Sequence, residues 1–401
     1  MDYAPLVERI AGEGAAAWEI HHHALEAQAR GENVIVLSVG DPDLDTPAPI
    51  VEAAVDSLRA GHTHYADLIG EEPLRAAIAR HFAAHGGWAA TADNVCVVCG
   101  AQNGLFFASM LLLGRDDEVI VPEPNYVTYE ATIAVSGARQ VTVPTRETDG
   151  FRPDPRAIAA AVTPRTRALL LTSPNNPTGV VMTPDELEAI AAIAREHDLW
   201  VISDEVYAAL TFDVEHRSIS SLPGMAERTV AVSSLSKSHA MTGWRSGWLI
   251  GPDALIRHAE NLALCVLYGL PGFVQRAARV AVERADEIAA DMREVYRQRR
   301  DLVVERLGRV PGLRVVTPQA GMFVMVDVRA TGLQAADFAW RLMREQAVSV
   351  LDASAFGPGA TGYVRVSFTL DETSLEEGCR RIAAFAASLA ADTAPADGIR
   401  A

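Results

Sequence analysis

The sequence predicts an α/β protein with a mostly parallel central sheet, helices on both faces and a smaller α+β domain. Three observations carry that expectation. From residue 94 onward, short apolar runs of strand type alternate with helical runs, the pattern of a parallel sheet covered on both sides. Those runs end in loops rich in Gly, Pro, Asn and Ser, at the edge where open α/β sheets hold ligands. A long Arg- and Glu-rich helical stretch over 273–308 then leads to a second set of strand and helix candidates.

Taken in order, residues 5–30 read as helix, and 34–39 read as an extended apolar run that stops at Gly40-Asp41-Pro42. Pro47 and Pro49 open a helix with apolar residues at Ile50, Val51, Ala54, Val55 and Leu58. Residues 61–70 lack periodicity and read as a long loop, and 72–84 return to helix. Strands follow over 95–99, 118–121, 139–143, 168–172, 200–203, 229–233 and 247–250, with helices over 102–113, 126–136, 154–162, 184–197 and 253–267. After the long helix come strands near 314–316, 322–327, 348–351 and 363–368, and helices over 334–345 and 374–391. The expected division is an N-terminal arm and part of the small domain (1–45), a large domain (46–275), and a connecting helix with the C-terminal small domain (276–401).

Composition narrows the function classes. A net charge of −17 over 401 residues repels a nucleic-acid backbone or an anionic membrane. No apolar run reaches bilayer length, and the N-terminus lacks the basic and apolar regions of a signal peptide, so a cytoplasmic protein is expected. Cys96 and Cys99 lie in a strand-like run where residues three apart face opposite sides, which favours buried thiols over redox or metal chemistry. His21-His22-His23 falls in a helix without a Cys or carboxylate partner, so no metal site is expected there.

The chemistry concentrates at strand ends. Lys237, in Ser234-Leu235-Ser236-Lys237, lies just past the 229–233 strand among small hydroxyl residues. Partial desolvation there lowers an amine's pKa and makes it a nucleophile toward an aldehyde. Ser234, Ser236 and Arg245 offer donors and a cation for a phosphate. An aldehyde and a phosphate on one small molecule describe pyridoxal 5′-phosphate (PLP). Ser-x-x-Lys also marks penicillin-binding enzymes, but their Ser-Asp-Asn and Lys-Thr-Gly partners do not occur. Gly100-Ala101-Gln102 opens a helix whose N–H groups can hold a phosphate. The prolines and glycine of Ser173-Pro174-Asn175-Asn176-Pro177-Thr178-Gly179 fix a loop that aims Asn176. Asp204 at the 200–203 strand end is costly to bury unless it meets a cation such as a pyridinium nitrogen; as a lone residue it would sooner be a helix cap. Tyr207 offers a donor to the ring oxygen, and Tyr126 a face for the ring.

The order of these pieces resembles the fold-type I, class I aminotransferases over essentially the whole chain. The resemblance implies that Lys237 holds the cofactor aldehyde covalently, Asp204 pairs with the pyridine nitrogen, and Asn176 and Tyr207 hold the ring oxygen. It implies that Tyr126 stacks on the ring and that Ala101, Gln102, Ser234 and Arg245 bind the phosphate. Gly40, Asn176 and Arg365 match the positions that bind the substrate, with Arg365 as a fork for the α-carboxylate. Tyr65 matches a tyrosine that reaches the neighbouring subunit's phosphate, which implies a homodimer. The implied reaction is ping-pong transfer of an amino group from an L-amino acid to a 2-oxo acid, with Lys237, Asp204 and Tyr207 as catalytic residues. Within the family the chain is most similar to arginine–pyruvate transaminases, in stretches such as Thr63-His64-Tyr65-Ala66-Asp67 and Glu260-Asn261-Leu262-Ala263-Leu264-Cys265. A guanidinium substrate needs a carboxylate, and Asp67, Glu71, Glu72 and Glu123 are the loop candidates. The alternatives are a C–S β-lyase, a decarboxylase, a PLP-dependent oxidase, or an aminotransferase for aspartate, aromatic or other amino acids. An amino-acid-sensing regulator on this fold would need a DNA-binding domain, and fewer than forty residues precede Gly40.

Overall fold

A computed structural model describes residues 1–11 and 17–393. In place of one helix over 5–30, the described residues form α1 (Leu6–Arg9) and α2 (Glu19–Ala29), and 12–16 lie outside them. Helix α1 buries no side chain, whereas α2 buries Ile20, Ala24 and Ala27, and packing rather than propensity is what sustains a short helix. Strand β1 (Ile35–Val36) follows, then α3 (Ala48–Arg59) and α4 (Glu72–Ala84), each with a proline in its first turn.

The central unit runs β2 (Val95–Val98), α5 (Ala101–Leu112), β3 (Glu118–Glu123), α6 (Tyr129–Ala134), β4 (Arg139–Pro144) and α7 (Pro155–Ala161). It continues with β5 (Thr166–Thr172), α8 (Pro184–Glu196), β6 (Trp200–Asp204), β7 (Thr229–Ser234), β8 (Gly247–Ile250) and α9 (Asp253–Val266). The sheet order is β2-β8-β7-β6-β5-β3-β4. Pairs β3–β4, β3–β5, β5–β6 and β6–β7 are parallel, and β8 runs antiparallel to both its neighbours. The carboxyl ends of β2, β7, β6, β5 and β3 therefore share one edge. Every residue of β2 and β3 is buried, which is why these strands read as apolar runs without alternation. Leu105, Phe107 and Ala108 of α5 pack on one face with Ile256 and Ala259 of α9; Leu187, Ile190 and Ala191 of α8 pack on the other. Helix α8 starts in a capping box, Thr183 with Glu186.

The long helical stretch breaks at Arg284 into α10 (Gly272–Glu283) and α11 (Ala285–Gly308). Ala277, Ala278 and Ala281 of α10 pack with Ile50 and Ala54 of α3 and with Leu74 and Ala77 of α4. Helix α11 leads to β9 (Arg314–Val316), β10 (Phe323–Asp327), α12 (Ala335–Gln346), β11 (Val348–Ser349), β12 (Leu351–Asp352), β13 (Tyr363–Ser367) and α13 (Glu372–Thr393). One antiparallel sheet has the order β12-β13-β10-β9, and β1 pairs with β11 in parallel. The strand expected over 348–351 is thus two strands in different sheets. Two arginines of α11 hold this region to the rest. Arg299 bonds Asp43 at 2.6 and 3.1 Å, and Arg300 bonds Asp213 at 2.7 Å.

Candidate active site

A cavity of about 290 Å³ opens at the shared carboxyl edge of the central sheet. Its wall gathers Ala101 and Gln102 from the start of α5, Tyr126 from the loop after β3, and Asn176 from the loop after β5. Asp204, the last residue of β6, Tyr207 just beyond it, and Ser234 and Lys237 at and after the end of β7 complete the floor. Gly40, Arg245 and Arg365 close the remaining sides. Residues spread over more than three hundred positions thus meet because parallel strands deliver their ends to one place. Tyr65 is the exception. It is 86% exposed, stands edge-on to Tyr268 at 4.9 Å between ring centroids, and does not line this cavity.

Lys237 Nζ donates to the Gly40 carbonyl oxygen at 2.7 Å. Burial lowers its pKa to about 8; Asp41 opposes the shift, and Arg365 and Arg245 reinforce it. The amine is then far more often neutral, and so nucleophilic, than an exposed lysine at the same pH. Asp204 is buried, and burial raises its carboxyl to about 6. The Tyr129 hydroxyl limits that rise by donating to Asp204 Oδ2 at 2.6 Å, as does the Val206 N–H to Oδ1 at 3.2 Å. Tyr129 Oη also meets Thr172 Oγ1 at 2.7 Å, so the carboxylate stands at the end of a short polar chain.

Arg365 sits on the interior strand β13 and is 1% exposed. Its Nη1 donates to Asn176 Oδ1 at 3.0 Å and its Nη2 to the Ser38 carbonyl at 2.9 Å, while Nε has no partner among the described residues. The guanidinium lies over Phe323 at 3.9 Å and Phe356 at 4.8 Å. Burial lowers its pKa to about 10, which still leaves a cation at neutral pH. A buried cation with an open donor and no carboxylate among these bonds is suited to an anionic ligand. Burial also raises the Tyr126 and Tyr207 phenols, which keeps both as donors.

On the other side of the cavity, Arg245 adopts φ 53° and donates to the carbonyls of Thr242 at 2.8 Å and Cys99 at 3.2 Å. Gly100 has φ 78°, and a Cβ there would stand 2.5 Å from Arg245 Nη2. Only glycine lets the β2–α5 turn approach the guanidinium so closely. The turn, the free N–H groups at the start of α5, Arg245, Ser234 and Ser236 form an anion cradle. An anion cradle, a lysine whose amine is lowered by burial and a buried carboxylate suit the phosphate, aldehyde and ring nitrogen of PLP.

Sequence reasoning missed several wall residues. Tyr129 is the clearest: a buried tyrosine needs a partner, and its place three residues after Tyr126 on a helix start was the available signal. Trp18, Asp41 and Phe323 also line the cavity, brought there by elements whose contact no local pattern encodes. None of Asp67, Glu71, Glu72 or Glu123 lines it within one chain. Glu123 is buried and accepts from the Gly359 N–H at 2.9 Å, and Glu71 lies 3.5 Å from Arg276. Cys96 is buried, which pushes its thiol up to about 12, and Cys99 falls just past the end of β2. In the histidine run, His21 Nδ1 lies 3.0 Å from Ser38 Oγ and His23 packs edge-on against Trp340.

Comparison with known proteins places these features in context. The family described as aminotransferase class I and II matches residues 32–382. Arginine–pyruvate transaminase AruH of Pseudomonas aeruginosa is 55% identical over 389 residues, covering 97% of this chain and 99% of that protein. Aromatic-amino-acid aminotransferase 2 of Thermococcus litoralis is 38% identical over 88% of this chain and 91% of its own. Among solved structures, the aspartate aminotransferase of Thermus thermophilus with maleate superposes with a TM-score of 0.91 at 34% identity, covering 96% of this chain and 100% of that one.

Proposed function

This chain belongs to the class I and II aminotransferases, PLP-dependent enzymes that use amino acids and 2-oxo acids, and from that premise we propose that it moves the amino group of L-arginine to pyruvate. The single observation that carries the choice of substrates is the 55% identity over nearly the full length to a protein named for that reaction. When bound, PLP supplies the electron sink that stabilises negative charge at the substrate's Cα. The chain's residues do the rest. Lys237, whose amine burial brings down to about 8, would hold the cofactor aldehyde, and its Nζ is the group that would take up the Cα proton. Asp204 keeps a proton on the ring nitrogen, and Tyr129 and Thr172 hold Asp204 in place. Asn176 and Tyr207 orient the ring oxygen, and Tyr126 covers the ring. Ala101, Gln102, Ser234 and Arg245 hold the phosphate. Arg365 and Gly40 receive the substrate α-carboxylate, with Asn176 fixing the guanidinium fork through its 3.0 Å bond.

Three further readings belong to this proposal. The enzyme acts as a homodimer in which Tyr65 completes the neighbour's phosphate site, a role supported by its 86% exposure beside Tyr268. It works in the cytoplasm, supported by the free state of all four cysteines. The chain divides into an arm (1–45), a large domain (46–275) and a small domain (276–401). The connecting stretch contains the break at Arg284, and α10 before that break packs on α3 and α4.

The test is a set of initial rates with L-arginine, L-lysine, L-aspartate and L-phenylalanine, each with pyruvate. Arginine is expected to lead in kcat/KM by about tenfold or more, a difference of about 1.4 kcal/mol in transition-state binding. Equal rates, or a lead for aspartate or phenylalanine, would contradict the arginine assignment.

A further inference from the structure

Helix α4 carries two histidines four residues apart, His81 in its last turn and His85 at its end, on one side of the helix. Asp286 lies in the first turn of α11 and faces them. His85 Nε2 stands 2.7 Å from Asp286 Oδ1, and His85 Nδ1 stands 2.8 Å from the His81 carbonyl oxygen. A carbonyl only accepts, so Nδ1 carries the proton. In the neutral ring, Nε2 is then a bare lone pair pointed at a carboxylate oxygen. That contact is repulsive unless a cation lies between the two atoms.

The His81 ring lies 4.1 Å from the His85 ring and brings a second imidazole to that contact. The ligand atoms of His81, His85 and Asp286 all fall within 4.8 Å of one another.

We propose that His81, His85 and Asp286 bind a divalent transition-metal ion of the zinc class, tying the end of α4 to the start of α11. Two imidazole nitrogens with one carboxylate oxygen suit a borderline ion and leave magnesium and calcium, which take oxygen ligands, a poor fit. The bond from His85 Nδ1 to a backbone carbonyl is the outer support that orients a metal-binding imidazole. The three residues lie on the wall of a cavity of about 820 Å³, which leaves room for water in a fourth position. Ligands about 2.0–2.1 Å from a tetrahedral ion stand roughly 3.3 Å apart, so the 2.7 Å contact must widen. With the His85 and Asp286 side chains 47% and 81% exposed, both are free to move that far. The consequence is mechanical. The ion clamps the first turn of the helix whose Arg299 and Arg300 hold the small domain.

The experiment uses tag-free holoenzyme, stripped with a chelator and titrated with Zn²⁺ by calorimetry and with Co²⁺ by visible absorption. The expected result is one ion per chain, four- or five-coordinate cobalt bands, and a raised melting temperature with zinc but not with magnesium. His85→Gln and Asp286→Asn should each weaken zinc binding by about 10–100-fold or more, with cofactor absorbance retained as the check on folding. Because Asp286 is so exposed, its variant keeps the test open if the histidine variant misfolds. A double variant of the other histidine group, His22→Gln with His23→Gln, should bind as wild type. Failure to bind one equivalent, or binding unchanged in Asp286→Asn, would overturn the assignment, as would binding lost in the His22/His23 variant.

Discussion

Two cavities flank the carboxyl ends of β6 and β7, and the same two loops line both. Asp204, Tyr207, Ser236 and Lys237 face the smaller one, of about 290 Å³; Glu205, Ala208, Ser238 and His239 face the larger, of about 820 Å³. A shift of one residue at a strand end thus sends a carboxylate to a different compartment. Size does not single out the candidate cofactor site here; unspent charge does. Among the described residues, Lys237 in the smaller cavity bonds a carbonyl alone, and Arg365 bonds a carbonyl and an amide with its Nε open. In the larger one, Glu205 is spent on internal partners: it accepts from Ser203 Oγ at 2.8 Å and Ser218 Oγ at 2.6 Å, and lies 3.5 Å from His216. Neighbouring carboxylates are therefore placed differently, Asp204 on the wall of the candidate site and Glu205 among partners of the fold.

Substitutions on the two sides should separate accordingly. The largest effect belongs to Lys237→Ala, which should lower transamination by roughly four orders of magnitude, the upper end of what a general acid–base group contributes. Retained turnover would erase the difference between the cavities. Arg365→Gln should come next, with kcat/KM for the amino acid down at least thirtyfold, about 2 kcal/mol or more, and the cofactor spectrum unchanged. A loss of cofactor instead would move Arg365 out of the substrate role. Tyr129→Phe sharpens the contrast through pH. Its hydroxyl limits the rise of the Asp204 carboxyl, which stands at about 6, so its removal raises that group further. A carboxylate must be ionised to pair with a ring cation, and it protonates as pH falls. Cofactor affinity in the variant should therefore weaken at a higher pH than in wild type, with kcat down about tenfold. An unshifted midpoint would mean that Tyr129 does not tune Asp204. The smallest catalytic effect belongs to Glu205→Gln, which should cost about 1 kcal/mol of stability by chemical denaturation and leave kcat/KM within about twofold.

The sequence made the smaller cavity legible and left the larger one dark, for a physical reason. Strands buried on both faces, such as Val95–Val98, announce themselves as apolar runs, and their ends carry the loops that hold Lys237, Asp204 and Asn176. Local pattern therefore pointed at residues that line one cavity. The break at Arg284, the splitting of 348–351 between two sheets and the partnership of Tyr129 with Asp204 depend on packing between distant elements. The same holds for Asp286, which meets His81 and His85 only because α11 starts against the end of α4. Arg365 was found through resemblance and not through its neighbourhood, since β13 alone gives no hint that its side chain turns toward the central sheet.

Borohydride reduction of the PLP-loaded enzyme, followed by peptide mapping, tests the central claim most directly. A reduced pyridoxyl group on the peptide containing Lys237, and its disappearance when L-arginine is added before the reductant, are the results this account predicts. A group on another lysine, or no covalent adduct at all in active enzyme, would contradict it.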